Sequence, residues 1–193
     1  MPNSAVTVHV RIEGRERTLF EDTSSANGGY VTTTHGTTPV SGPADGTNAN
    51  EYPFPVPTAT SALAYVATGA GARPKWGAAY SRALDDFVIS TIGDTASADE
   101  GWRLFVNFKP TEKTGSRTLV KTGDSVLWAL VPAAAASVPL RLHGPRTATV
   151  NVAFTVTVLN GSTGAAVNEA IVGGQTTNAN GQATITVRTA GTR

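Results

Sequence analysis

Residues 5–13 read Ala-Val-Thr-Val-His-Val-Arg-Ile-Glu. In an extended chain Val6, Val8, Val10 and Ile12 fall on one side, and Thr7, His9, Arg11 and Glu13 on the other. Strand side chains alternate between faces with a period of two, so this stretch is a strand with one face on a core and one in water. Gly14-Arg15 supplies a turn, and Thr18-Leu19-Phe20-Glu21-Asp22 is the returning strand of a hairpin. The chain therefore opens as β-structure.

Residues 22–57 are rich in Gly, Ser, Thr, Asn and Pro. This is long for a connection; Tyr30–Thr33 forms a short strand within it, and Ser41–Pro57 reads as a surface loop. Thr58–Ala67 is the helix, with Thr58 or Thr60 as N-cap, Ala62, Leu63, Val66 and Ala67 on the apolar face, and Gly69 as the stop. Trp76-Gly77-Ala78-Ala79-Tyr80 leaves strand and loop both open. Asp86–Gly93 is a strand ending in a turn. Gly101–Phe108 is another, with Trp102, Leu104 and Val106 on one face. A tight turn at Lys121–Asp124 leads into the strand Ser125–Leu130.

Pro132–Gly144, with its Ala133–Ala136 run, reads as a linker carrying a short strand at Pro139–Leu142. The domain boundary is expected near His143-Gly144-Pro145. Beyond it, Thr149–Val152, Phe154–Leu159, Ala170–Gly173 and Ala183–Val187 are short strands, separated by turns at Asn160-Gly161, Gly173-Gly174 and Asn180-Gly181. That rhythm is the pattern of a small β-sandwich.

Composition narrows the function classes. The chain has 193 residues and a net charge of +1, so it lacks the cationic footprint that phosphate neutralisation requires, and no nucleic-acid partner is expected. Arg11, Arg15 and Arg17 are its densest basic group and read as a solvent-facing strand edge. There are no cysteines, which excludes disulfides, thiolate metal sites and thiol nucleophiles. No apolar run approaches the ~20 residues of a membrane-spanning helix. The start Met1-Pro2-Asn3-Ser4 is not a signal peptide; secretion would imply one already removed, and the end at Ala190–Arg193 reads as that of a fragment.

The histidines 9, 35 and 143 share no ligand spacing, and neither metal nor cofactor is expected. Asp85, Asp86, Asp94, Asp99 and Glu100 are the only acidic grouping and read as solvated loop carboxylates rather than a catalytic pair. No nucleophile elbow or phosphate loop is present, and no catalytic residue is assigned. Trp102 and Trp128 read as core residues of neighbouring strands. Trp76 and Tyr80, beside Lys75 and Arg82, are the candidate ligand-binding residues: aromatic planes with cationic neighbours, carried on a loop. Asn160-Gly161-Ser162 matches a glycosylation sequon, for which the turn reading suffices.

Two segments carry family resemblances. Ile92-Gly93, Gly101-Trp102, Val106-Asn107 and Gly123-Asp124, with Trp128 soon after, resemble the extracellular domain family related to the C-terminal domain of transcobalamin. The opening strand and the Ala-rich helix fit as well, and coverage is about the first two-thirds of the chain. The resemblance implies a β-grasp-like α+β domain with a binding or scaffold role and no enzyme activity. Cobalamin binding does not carry over, because the helical barrel that completes that site has no counterpart here. The family's usual turn after Val-Asn carries a glycine, whereas Phe108-Lys109-Pro110 stands here. Further on, Thr155–Val158, Gly164–Val167, Gly173-Gly174, Thr176-Thr177 and Asn178-Ala179-Asn180-Gly181-Gln182-Ala183 resemble the bacterial immunoglobulin-like and carboxypeptidase-regulatory-like repeats of surface proteins.

The expectation is thus a mainly β chain: a β-grasp-like domain over 1–142 and a small immunoglobulin-like sandwich over 143–193. It would be an extracellular or cell-surface, non-catalytic structural or binding module. Its partners would be other surface proteins or copies of itself, met through Thr/Val-rich edge strands. The alternative is a glycan or small molecule bound through the 22–57 segment, Trp76 and Tyr80.

Overall fold

The opening alternation is realised in full: Val8, Val10 and Ile12 are completely buried while Thr7, His9 and Arg11 are exposed. The computed structural model describes residues 4–69, 71, 73–134 and 137–191. The fold is mainly β. It divides into two compact units, Met1–Ser137 and Val138–Arg193.

In chain order the first unit contains β1 (Val6–Glu13), β2 (Thr18–Ala26), β3 (Tyr30–His35), β4 (Thr38–Pro43), α1 (Ala59–Thr68), β5 (Trp76–Ser81), β6 (Asp86–Ile92), β7 (Asp94–Thr95), β8 (Glu100–Val106), β9 (Lys109–Pro110) and β10 (Ser125–Pro132). One five-stranded sheet runs β2-β1-β10-β8-β9 and the other β4-β3-β5-β6-β7. In the first, β1 and β10 are central and parallel, with Val10 opposite Val126 and Ile12 opposite Trp128. Both flanking pairs are antiparallel.

Helix α1 begins at Thr58. The Thr58 hydroxyl accepts from the Ser61 N–H at 3.2 Å, and the Ser61 hydroxyl accepts from the Thr58 N–H at 3.0 Å. This reciprocal pair satisfies donors that the first turn would otherwise orphan. Ala59, Ala62, Leu63 and Val66 are buried against β1 and β2 of the first sheet and β3 and β5 of the second. Small side chains on that face let the helix approach closely.

The residues just after β8 and just before β10 form a clasp. Asn107 Nδ2 donates to Asp124 Oδ1 at 2.9 Å, and Asn107 Oδ1 accepts from the Ser125 N–H at 3.0 Å. The Lys121 N–H donates to Asp124 Oδ2 at 2.9 Å, closing the turn before β10. Asn107 and Phe108 connect β8 to β9 as a two-residue hairpin turn, both with positive φ, 52° and 64°. Asn tolerates that region, whereas at Phe108 a bulky side chain stands where such a turn ordinarily favours glycine.

Three expectations are corrected. Residues 22–57 are not mainly loop: β2 extends to Ala26, and β3 and β4 form a hairpin turned at Gly36. In place of an apolar alternation β3 carries Thr32, Thr33 and Thr34, opposite Ser41, Val40 and Pro39 of β4, with Thr32 Oγ1 lying 2.8 Å from Ser41 Oγ. Trp76–Tyr80 belongs to strand β5. Finally, the boundary lies at Ser137/Val138 rather than 142/143, because Leu140–His143 pairs with the following strand. Of the Ala133–Ala136 run, residues 135 and 136 lie outside the described residues, as do the terminal residues 1–3 and 192–193.

The second unit holds β11 (Leu140–His143), β12 (Ala153–Asn160), β13 (Ile171–Val172), β14 (Gln175–Thr176) and β15 (Gln182–Thr186). A three-stranded sheet, β11-β12-β15, stands beside the hairpin β13-β14. Val156, Val158 and Ala183 form its buried centre. Thr149–Val152, expected as a strand, is a turn. Asn160 Oδ1 accepts from the Ser162 and Thr163 N–H groups, so the sequon asparagine is engaged in its own turn. Asn178 Oδ1 does the same for Asn180 and Gln182. A side chain at Gly181 would meet the Val158 carbonyl oxygen at 2.4 Å, which explains the glycine of the Asn-Ala-Asn-Gly run.

Candidate functional site

The four residues singled out from sequence do not form one site. Trp76, on β5, is only 6% exposed and packs edge-to-face on Phe87 with ring centroids 5.4 Å apart. Tyr80 lies two inward positions further along β5 and packs on the same Phe87 at 5.1 Å. Its hydroxyl donates to Asp85 Oδ1 at 2.8 Å, and burial with that neighbouring carboxylate pushes its pKa up. Gly42 of β4 makes room for the ring, since a Cβ there would lie 2.5 Å from it. Arg82 is exposed in the turn after β5, and Lys75 precedes the strand. Along an extended strand that separates them by roughly 20 Å. The stacking platform on a loop is therefore withdrawn: its aromatic rings are core.

The acidic grouping is likewise engaged. Asp85 Oδ2 accepts from the Ala49 N–H at 2.7 Å, and this bond with the Tyr80 hydroxyl holds its carboxyl below the usual range. Asp86 is fully buried and accepts from the Phe87 and Ser116 N–H groups and the Thr114 hydroxyl. Burial nevertheless pushes its pKa up. Asp94 accepts from the Arg15 N–H, and Asp99 from the Ser97 hydroxyl. Glu100 binds the Arg15 guanidinium through both oxygens, at 3.0 and 2.6 Å, and also accepts from Ser97.

The bonds from Arg15 and Ser97 hold Glu100 down at about 2. A carboxylate lowered in the folded state adds stability above its unfolded pKa, and that contribution is lost as pH falls through the folded value. We therefore expect a carboxyl NMR titration to leave Glu100 ionised at pH 4 and to place its midpoint near 2. In Arg15→Ala the midpoint should move back toward ~4. A wild-type midpoint at the ordinary value would show that the pair is open in solution.

What the fold does open lies between β3 and α1. A groove of about 610 Å³ runs along β3, with Asn27–Gly29 at one end and Lys75 and the edge of Trp76 at the other. Its opposite wall is one stripe of α1: Ser61, Ala64, Tyr65 and Thr68, spaced as a single helical face. Tyr30 is 78% exposed and Tyr65 49% exposed, one on each wall. Lys75 is the sole charged residue lining it among the described residues. Two of the four sequence candidates thus line the groove, Lys75 at its rim and Trp76 as its floor, while Tyr80 and Arg82 lie elsewhere. Tyr30 and Tyr65 were missed because neither sits in a motif; only the meeting of β3 and α1 gives them a common cleft.

A second hollow of about 370 Å³ is lined by Phe87, Trp102, Arg103, Lys113 and Trp128, among others. The Nε1 groups of both tryptophans are buried and find no acceptor among the described residues. Among those residues, too, no three His, Asp or Glu side chains gather as a metal site would require. No described helix is long and apolar enough to cross a membrane. No protein-family model matches the chain, and no curated protein matches it in sequence.

Proposed function

We propose that the chain is a non-catalytic extracellular or cell-surface binding module. Its first unit is β-grasp-like and takes a ligand in the β3–α1 groove; its second is an immunoglobulin-like spacer. The observation that carries the binding reading is the groove itself: an open cleft with an exposed tyrosine on each wall, hydroxyl-bearing side chains along both, and one cation. The β-grasp reading is supported by the strand order β2-β1-β10-β8-β9, in which the last strand inserts parallel beside the first and a helix packs on the sheet. The surface reading rests on the resemblances noted in the sequence.

Trp76 lines the groove, so intrinsic fluorescence can report its occupancy. The full chain, titrated with a panel of cell-surface oligosaccharides and short peptides, should give a saturable change for at least one class. Tyr30→Ala/Tyr65→Ala should weaken that response about tenfold, since each aromatic contact is worth about 0.5–1.5 kcal/mol. Both rings are exposed, so the double variant should fold normally. An unchanged response in the variant would move the site elsewhere, and silence across the panel would remove the binding reading.

Self-association is a second reading, favoured by β11. This edge strand turns Leu140 and Leu142 outward, 54% and 57% exposed. The edge at β4 is less suited to it, carrying Pro39 and Pro43. Growth of particle size with concentration in light scattering would place self-association first.

A further inference from the structure

We propose that the groove binds an extended acidic peptide as an added strand on β3, with a peptide carboxylate on Lys75. This deepens the groove reading above and rests on it.

The β3–β4 ladder fixes which backbone groups of β3 point away from β4. Tyr30 stands opposite Pro43, Val31 opposite Gly42, Thr32 opposite Ser41, Thr33 opposite Val40 and Thr34 opposite Pro39. The Ala44 N–H donates to the Gly29 carbonyl at 2.8 Å, which makes that pair a hydrogen-bonded one. In an antiparallel ladder such pairs alternate with pairs that exchange no bonds. Val31 and Thr33 therefore bond to β4, while Tyr30, Thr32 and Thr34 turn their N–H and C=O groups to the opposite edge. Pro39 and Pro43 agree with this register, since each sits where the ladder asks for no N–H.

On that opposite edge β5 pairs with β3 at a single position, Thr34 with Gly77. The Thr33 hydroxyl donates to the Trp76 carbonyl, and there the joint between the strands ends. Tyr30–Thr32 line the groove, and among the described residues no strand pairs with β3 there on the side away from β4. It presents two N–H donors and two C=O acceptors in the alternating order of a strand, whose complement is another strand. Helix α1 supplies the far wall, so an added strand would lie between strand edge and helix, the arrangement by which exposed edges capture peptides. A sugar is recognised through ring faces and hydroxyls; this wall is a backbone edge. Lys75, the sole charged residue lining the groove among the described residues, selects a carboxylate.

The test is amide exchange by NMR on the full chain with two probes. One is a capped pentapeptide of alternating Val and Thr ending in Asp; the other is its Asp-free counterpart with a free C-terminal carboxylate. With peptide at ten times its Kd, the Tyr30 and Thr32 amides should exchange about tenfold more slowly. Val31 and Thr33, already bonded to β4, should change little. N-methylation of alternate peptide residues should abolish binding in one phase and spare it in the other. Lys75→Ala should weaken whichever probe binds, and the stronger probe tells whether a side-chain or terminal carboxylate is read. Unslowed Tyr30 and Thr32 amides with both probes at millimolar concentration, or equal tolerance of both N-methyl phases, would overturn the proposal. If that occurs while an oligosaccharide response is still lost in Tyr30→Ala/Tyr65→Ala, the groove reading survives and strand addition falls. If nothing binds, both fall.

Discussion

Trp128→Ala should destabilise the first unit by about 4 kcal/mol. Trp128 is 4% exposed at the centre of β10, opposite Leu104 of β8 and Ile12 of β1. Its six-membered ring rests on Gly115, where a Cβ would lie 2.9 Å away, in the turn that packs on α1. Truncation removes the contact that ties sheet, turn and helix together and leaves a cavity the surrounding strands can only partly close. Trp128→Phe keeps most of the bulk and removes a buried N–H that has no acceptor among the described residues, so its cost should be about 1 kcal/mol. Urea unfolding followed by fluorescence checks both. All three tryptophans lie in the first unit, so Trp76 and Trp102 still report its unfolding. Equal losses for the two variants would mean that the indole N–H matters more than its volume.

The next largest effect is expected at Asp86. Its carboxylate is the common acceptor for Phe87 N–H, Ser116 N–H and the Thr114 hydroxyl, joining β6 to the 114–117 turn. Asp86→Ala strands these donors in a buried place and should cost about 3 kcal/mol. Asp86→Asn relieves the burial of charge but points an NH2 group at donors, so about half that loss is expected. Burial raises the Asp86 pKa in the folded state. The folded chain then holds this proton more tightly than the unfolded chain. The group's contribution is therefore fully present below its unfolded pKa of about 3.9 and is lost as pH rises through the higher folded value. Stability measured from pH 3.5 upward should carry this slope in the wild type and lack it in Asp86→Asn. An identical slope in both would assign it to other carboxylates.

Neither residue offered a functional signal, and that contrast marks what local pattern can reveal. Trp102 was legible as inward-facing because it shares one side of a strand with Leu104 and Val106, and Trp128 because it stands in the apolar run of the next strand, Ser125–Leu130. Asp85-Asp86 was legible only as an acidic pair. That one carboxylate would pin a turn about thirty residues away and the other cap a backbone N–H thirty-six residues away depends on partners no local window contains. Trp76 misled for the same reason: followed by Gly77-Ala78-Ala79, it shows no period, and only pairing with β6 makes it a strand residue whose ring turns inward.

Local pattern was enough to specify the first hairpin, the helix with its Thr58 cap, the strands β6, β8 and β10, and the tight turns of the second unit. Each is written in a local period or a turn residue acting over a few positions. The tertiary structure alone decided that a Thr-rich stretch becomes β3 and β4, that four acidic residues serve as joints, and that a groove lies between β3 and α1. The physical reason is separation along the chain. The groove exists because β5, arriving more than forty residues after β3, joins it at Thr34 and Gly77 alone and leaves the edge at Tyr30 and Thr32 facing a helix.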